Sequence, residues 1–365
     1  MSHLSMFFEH VYQNNPQTYK PFLFKIENED EKVRLHDWLK VNQQVYFFDS
    51  INAQIKDFIK LKNPTKKLTE KEYEQEIKIY LNGRDTDYVG NWCYYHWNKT
   101  LIHILPEDDF IEVRTNRNKL KITEQEQNIL KQKTIGIIGL SVGQSIALTM
   151  VMERICGSIK LADFDELDLS NLNRLRTGLH NIGVKKTFIA AREIAEIDPY
   201  INVEVFSDGI TDQNMDKFFT NLDLLVEVCD SLDMKMKSRL KARELTIPVV
   251  MDTNDRGMID IERFDLEPSR EILHGLICET DINEMHNQTP QQRLAFVSKI
   301  ISLENTSDRL KKSMAEINNT IVSWPQLASS VVLGGAATTD ISRRILLKQT
   351  SNSGRYYIDF DEIIK

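Results

Sequence analysis

Cysteine is scarce in this sequence. There are four, Cys93, Cys156, Cys229 and Cys278, and no two of them form a CxxC pair. That spacing argues against a disulfide scaffold and a four-cysteine zinc site, and it fits a reducing, cytoplasmic setting. Long apolar runs are missing too: nothing approaches the ~20 residues of a membrane helix, so no membrane partner is expected. The segment from Met1 to Glu9 lacks the basic flank and apolar core of a secretory signal. No basic stripe exists either. The net charge is −8, from 54 acidic and 46 basic residues, which argues against a nucleic-acid partner. Glycine is sparse at the start: residues 1–110 hold only two of the 14 glycines, but three of four tryptophans and eight of eleven tyrosines. The two parts of the chain therefore differ in texture, and 365 residues are enough for about two domains.

The aromatic part, residues 1–112, reads as a small α+β accessory domain. The run from Tyr88 to Trp97, followed by alternating apolar positions from Lys99 to Leu105, predicts a hairpin or small sheet. Asp49 to Leu61 and Glu70 to Leu81 carry helical periodicity. Residues 113–132 read as a charged helical connector, with a capping-box pattern at Thr123 and Glu126.

From residue 133 to 365 the pattern alternates strand and helix. Strands are expected at 134–139, 158–163, 203–206, 222–228 and 248–252. Helices are expected over 144–156 and 185–197, the latter stopped by Asp198-Pro199. This predicts an α/β fold, a Rossmann-like, doubly wound, mostly parallel sheet. Met258 to Phe264 reads as an additional strand at the edge. Residues 279–320 read as a polar helical insertion, and Trp324 to Leu347 as an apolar helix rich in small residues.

Chemistry concentrates at the first strand–helix turn, Gly139-Leu140-Ser141-Val142-Gly143. Such a turn brings backbone N–H groups and a helix N-terminus toward a phosphate. It departs from GxGxxG, because Ser141 and Gln144 stand where glycines are expected. Asp163, twenty residues past Gly143, has the spacing at which a carboxylate meets ribose hydroxyls. Taken alone, these features suit ATP and NAD equally.

The next stretch separates the two. Asp163-Phe164-Asp165 leads into Leu169-Ser170-Asn171-Leu172-Asn173-Arg174, then Gly183-Val184-Lys185-Lys186, and later Val226-Glu227-Val228-Cys229-Asp230. Together these resemble the E1-like adenylyltransferases, the family of ubiquitin-activating enzymes and of bacterial activators of thiamine- and molybdopterin-pathway sulfur carriers. Val322 to Ser329 and the aromatic first domain resemble a bacterial subgroup with an extra N-terminal domain. The resemblance implies an ATP- and Mg²⁺-dependent enzyme that activates a carboxylate as an acyl-adenylate and releases pyrophosphate. Its substrate would be the C-terminus of a small ubiquitin-like carrier or peptide, or a small-molecule acid. The chemistry of the residues fits. Arg174 and Lys186 suit a triphosphate, Asn171 offers neutral hydrogen bonds, and Asp230 at a strand's carboxyl end suits Mg²⁺. Gly139, Ser141, Gly143 and Asp163 would complete the ATP site.

The resemblance also extends to Arg114-Thr115-Asn116-Arg117, similar to a segment whose arginine reaches the nucleotide of a partner subunit. Arg117 is then the finger, Arg114 its neighbour, and the active unit a homodimer. Many relatives bind a structural zinc through two CxxC pairs; none is expected here. Cys278 is the one cysteine in the region where relatives place an acyl-accepting thiol. Two other readings stand beside this one. An NAD-dependent oxidoreductase would use the turn and Asp163 but leave Arg174, Lys186 and Asp230 without a role. A non-catalytic nucleotide-binding protein would account for the altered turn.

Overall fold

The structure, a computed structural model, describes residues 17–277, 296, 298–300 and 303–364. The chain forms two compact units, Met1–Glu124 and Gln125–Lys365.

In the first unit the elements are β1 (Phe22–Phe24), α1 (Glu29–Val41), β2 (Tyr46–Asp49), α2 (Ile51–Lys62), α3 (Glu70–Leu81), β3 (Asn91–Tyr95), β4 (Thr100–Ile104) and α4 (Glu107–Thr115). The four strands form one sheet in the order β1-β3-β4-β2. The expected hairpin is β3–β4, paired from Asn91 opposite Ile104 to Tyr95 opposite Thr100. One core gathers Phe24, Ile26, Leu35, Trp92, Tyr94 and Leu101. A second is built on Ile51, Ile55 and Ile59, which repeat every four residues on α2 and so share one helical face. Helix α3 starts at a capping box: the Thr69 amide donates to Glu72 Oε2 (2.7 Å) and the Glu72 amide to Thr69 Oγ1 (3.4 Å). Phe110 and Val113 of α4 pack on the α2 core, and Glu112 takes an ion pair from Lys62.

The second unit follows as α5 (Glu124–Leu130), β5 (Thr134–Ile138), α6 (Gly143–Glu153), β6 (Ser158–Ala162), α7 (Lys186–Ile197), β7 (Asn202–Phe206), α8 (Met215–Phe219), β8 (Leu224–Glu227), α9 (Leu232–Glu244), β9 (Val249–Asp252), β10 (Met258–Glu262), α10 (Asp308–Glu316), α11 (Ala328–Leu346), β11 (Gly354–Tyr357) and α12 (Phe360–Ile363). Its seven strands are ordered β11-β10-β9-β8-β5-β6-β7. Strands β9, β8, β5, β6 and β7 run parallel; β10 and β11 are antiparallel to their neighbours. This is the doubly wound, mostly parallel sheet expected from the strand–helix alternation. The order reverses at β5, flanked by β6 and β8, and there the crevice at the strands' carboxyl ends opens.

One expectation is overturned. The strand at Met258–Glu262 does not form the edge, because β11 pairs outside it from Met258 opposite Tyr357 to Ile261 opposite Gly354. All five residues of β10 are buried, including Asp260 and Glu262, and each carboxylate has an arginine partner. Arg239 ties Glu262 to Glu227 of β8, and Arg355 of β11 donates to Asp260 (2.6 Å) while His274 approaches it at 2.8 Å. The two carboxylates of β10 are thus buried with partners that neutralise their charges.

Helix α6 is buried over most of its length, between α7 and α11. It ends three residues earlier than expected, where Arg154 takes the left-handed conformation (φ 56°).

Candidate nucleotide site

The turn after β5 is set by close approach. Gly139 has φ +92°, and a Cβ there would stand 2.8 Å from both N and Cα of Cys229. Only glycine fits, so the first turn is held against the end of β8, one residue before Asp230. Gly143 then opens α6.

Asp163 at the end of β6 braces this turn. Its Oδ2 accepts from the Leu140 amide (2.6 Å) and its Oδ1 from the Asp165 amide (2.8 Å). Burial pushes its carboxyl above the usual range, opposed by those two amides and by the Lys186 charge.

The segment between β6 and α7 folds back on itself. Leu167, Leu175 and Ile189 form a small core with Leu172 and Val184, and the Leu167 amide donates to the Val184 carbonyl (2.9 Å). The polar residues are left on its rim. Asn171 is buried, and its Oδ1 accepts from the Asp168 amide (3.1 Å). Lys186 opens α7 and is also buried; its Nζ donates to Asp165 Oδ2 (2.7 Å).

Arg174 lies on the turn. Its Nε (3.1 Å) and Nη2 (2.8 Å) both donate to Ser141 Oγ, and its Nη1 donates to Asn173 Oδ1 (2.8 Å). Burial lowers its pKa, and the charge of Asp230 opposes that. Asp230 itself is exposed, after the carboxyl end of β8.

The structure therefore brings together Gly139, Ser141, Asp163, Arg174, Lys186 and Asp230 around the switch point of the sheet. Cations and acids alternate there beside the N-terminus of α6, an arrangement able to hold a polyphosphate and compensate its charge. Arg117 is exposed on a short 3-10 turn that follows α4 in the first unit, and Arg114 lies in the last turn of α4. Cys278 falls outside the described residues. Of the other cysteines, burial pushes the Cys93 and Cys156 thiols up to about 12, and raises that of Cys229 with help from Glu227. These are packing residues at neutral pH. Among the described residues no group of three or more His, Cys, Asp and Glu side chains could hold a metal ion. His103 stacks on Trp92 (4.0 Å between ring centroids) and bonds the Val89 carbonyl through Nε2 (2.7 Å). No helix among the described residues is long and apolar enough to cross a membrane.

Residues 115–254 match the model of the ThiF family. That stretch is a ThiF family domain. The match bears out the resemblance read from Asp163 to Asp230. The uncharacterized protein MT1398 of Mycobacterium tuberculosis is 41% identical over 268 residues, which are 73% of this chain and 38% of that protein. This chain thus spans well under half of that relative's length. The tRNA threonylcarbamoyladenosine dehydratase of Bacillus subtilis is 23% identical over 252 residues, 65% of this chain and 98% of the relative. A probable molybdopterin-synthase adenylyltransferase of Porphyra purpurea is 31% identical over 114 residues, 31% of this chain and 29% of the relative.

Three further residues beside this turn, Gln144 and Glu193 within the matched stretch and Gln326 beyond it, were not read from the sequence as site residues. Gln144 accepts from the Arg176 amide (3.2 Å) and donates to Glu193 Oε2 (2.5 Å). Glu193, also hydrogen-bonded to Thr177, has its carboxyl pushed up to about 7 by burial. Gln326 accepts from Ser141 Oγ (3.4 Å) through Oε1 and from Asn173 Nδ2 (2.8 Å) through its carbonyl. The only sequence signals were a glutamine in a glycine position and the Trp324-Pro325-Gln326 run.

Proposed function

We propose that this protein activates a carboxylic acid by adenylation. A carboxylate oxygen of the substrate attacks the α-phosphorus of ATP, the bond to the bridging oxygen of pyrophosphate breaks, and pyrophosphate leaves with its electron pair. The observation that supports this reading is Arg174, fixed on the nucleotide turn by Ser141 and within reach of the charge of Asp230, inside the ThiF family match. The name of the algal relative, an adenylyltransferase, points the same way. A dehydrogenase would give that pair nothing to do.

Each residue then has a task. The Gly139 turn and the start of α6 receive the phosphates, and Asp163, braced by the Leu140 amide, lies at the ribose position. Arg174 and Lys186 compensate charge that builds on the phosphates, each contributing on the order of a hundredfold or more in rate. Asp230 is an exposed, hard oxygen donor after the carboxyl end of β8. That suits Mg²⁺, which takes one or two carboxylates and completes its shell with phosphate and water. Bound there, the ion would supply further neutralisation of the triphosphate. The substrate is the C-terminus of a carrier protein or peptide, or a small acid, and the first unit is its recognition or dimerisation module. Arg117 completes the site of a partner copy in a cytoplasmic homodimer.

Exchange of labelled pyrophosphate into ATP tests the reading. The purified chain, with Mg²⁺ and a panel of small acids and peptides with free C-termini, should catalyse exchange with one class of acid. Failure to bind ATP at all would sink the proposal.

A further inference from the structure

Ser141 and Gln144 occupy two positions where the dinucleotide fingerprint has glycine, and both side chains are turned onto the same loop. Ser141 Oγ accepts two hydrogen bonds from Arg174 and donates one to Gln326. Gln144 is buried, holds the Arg176 amide and reaches Glu193, which also bonds Thr177. The residues from Arg174 to Thr177 are thus fastened at Arg174 itself and again just past it.

Geometry says what this fastening does. A free arginine has four rotatable torsions, and ordering it when a ligand arrives costs conformational entropy. Here the Nε and Nη2 edge of the guanidinium is already occupied by one hydroxyl, and Nη1 by Asn173. Each terminal nitrogen carries two N–H groups, so one on Nη1 and one on Nη2 remain for a phosphate oxygen. A glycine at 141 would offer no such anchor. The charge is held next to the turn by side chains that the fingerprint does not have.

We propose that Ser141 and Gln144 are positioning residues that set Arg174 against the nucleotide turn before ATP binds. The inference rests on the adenylation reading, in which Arg174 meets the triphosphate.

The test compares ATP and AMP binding to the full-length protein by titration calorimetry with Mg²⁺. Ser141→Ala should weaken ATP about tenfold and AMP less than twofold, because only the β- and γ-phosphates need a preset Arg174. Ser141→Thr keeps the hydroxyl and should restore most of the ATP affinity. Arg174→Ala combined with Ser141→Ala should bind ATP no more weakly than Arg174→Ala alone, since the two act through one group. Gln144→Ala should lose ATP affinity in the same direction, with its melting temperature measured alongside. A Ser141→Ala variant that binds ATP like the wild type overturns the inference and leaves the adenylation reading standing. One that binds ATP more tightly overturns it as well, since Ser141 would then hold Arg174 away from the ligand. Wild-type protein that binds no ATP overturns both.

Discussion

Gly334 of α11 lies directly against the carboxylate of Asp252: a Cβ at position 334 would stand 1.9 Å from Oδ2. That oxygen is buried and has no hydrogen-bond partner among the described residues, while Oδ1 accepts from the Asn254 amide (2.9 Å). Burial pushes the carboxyl up to about 7, from an ordinary 3.8. The folded state therefore keeps a proton that the unfolded chain releases. The stabilising effect is complete below pH ~4 and is lost as pH rises through ~7, a change on the order of 4 kcal/mol. Urea unfolding of the wild type between pH 4 and 8 should show this decline, and Asp252→Asn should flatten it. An unchanged slope in that variant would rule out Asp252 as its source.

Gly139→Ala combines a left-handed backbone with a backbone clash at Cys229. The side chain cannot rotate out of the way, because the obstruction is main chain. A loss of about 2–4 kcal/mol is expected, together with lost ATP binding. Thermal denaturation and nucleotide titration check both parts.

Arg239 is fully buried and holds Glu227 and Glu262 together. Replacing it by Met leaves two buried carboxylates short of a partner, with Lys235 still paired to Glu227 (2.9 Å). The expected cost is about 3–5 kcal/mol. A loss under 1 kcal/mol in chemical denaturation would mean that water reaches the pair.

Lys186→Ala removes a buried ammonium that neighbours both Asp163 and Asp165. Pyrophosphate exchange should fall at least a hundredfold. Asp165→Asn should be much milder, because it leaves the ammonium in place. Equal losses would point to the ion pair, and not the charge offered to phosphate, as the working element.

If Arg117 serves a partner's site, Arg117→Ala and Lys186→Ala are each inactive but complement one another. Random mixing should restore about a quarter of wild-type exchange, since half of the dimers then carry one intact site. Mixtures with no recovery would place Arg117 outside the catalytic unit.

Much of this molecule was legible in its sequence. Apolar runs such as Ile135 to Ile138 and Leu224 to Val226, spaced by helices, announced a parallel sheet because strands covered on both faces need not alternate. Turn chemistry placed Gly139 and Asp163 at strand ends. Long-range charge pairing was not legible. Asp260 and Glu262 gave Met258–Glu262 the alternation of a strand with one wet face, and nothing local reveals that Arg239, His274 and Arg355 neutralise them. Strand β11 was missed for a related reason: its four residues have meaning only through pairing with β10. Ser141 and Gln144 were visible as departures from glycine, but their partners depend on how the loop after β6 folds back.

The bond from Arg355 to Asp260 joins positions 95 residues apart. Closing so long a span is entropically dearer than zipping β5 to β6, whose paired residues lie 24 apart (Thr134 to Ser158). The seam between β10 and β11 is thus expected to close late in assembly of the sheet. Amide protection during refolding should reach Ile159 before the amides of β11. In the interval Asp260 lacks its guanidinium, and the half-finished sheet offers a sticky, unpaired margin to other chains.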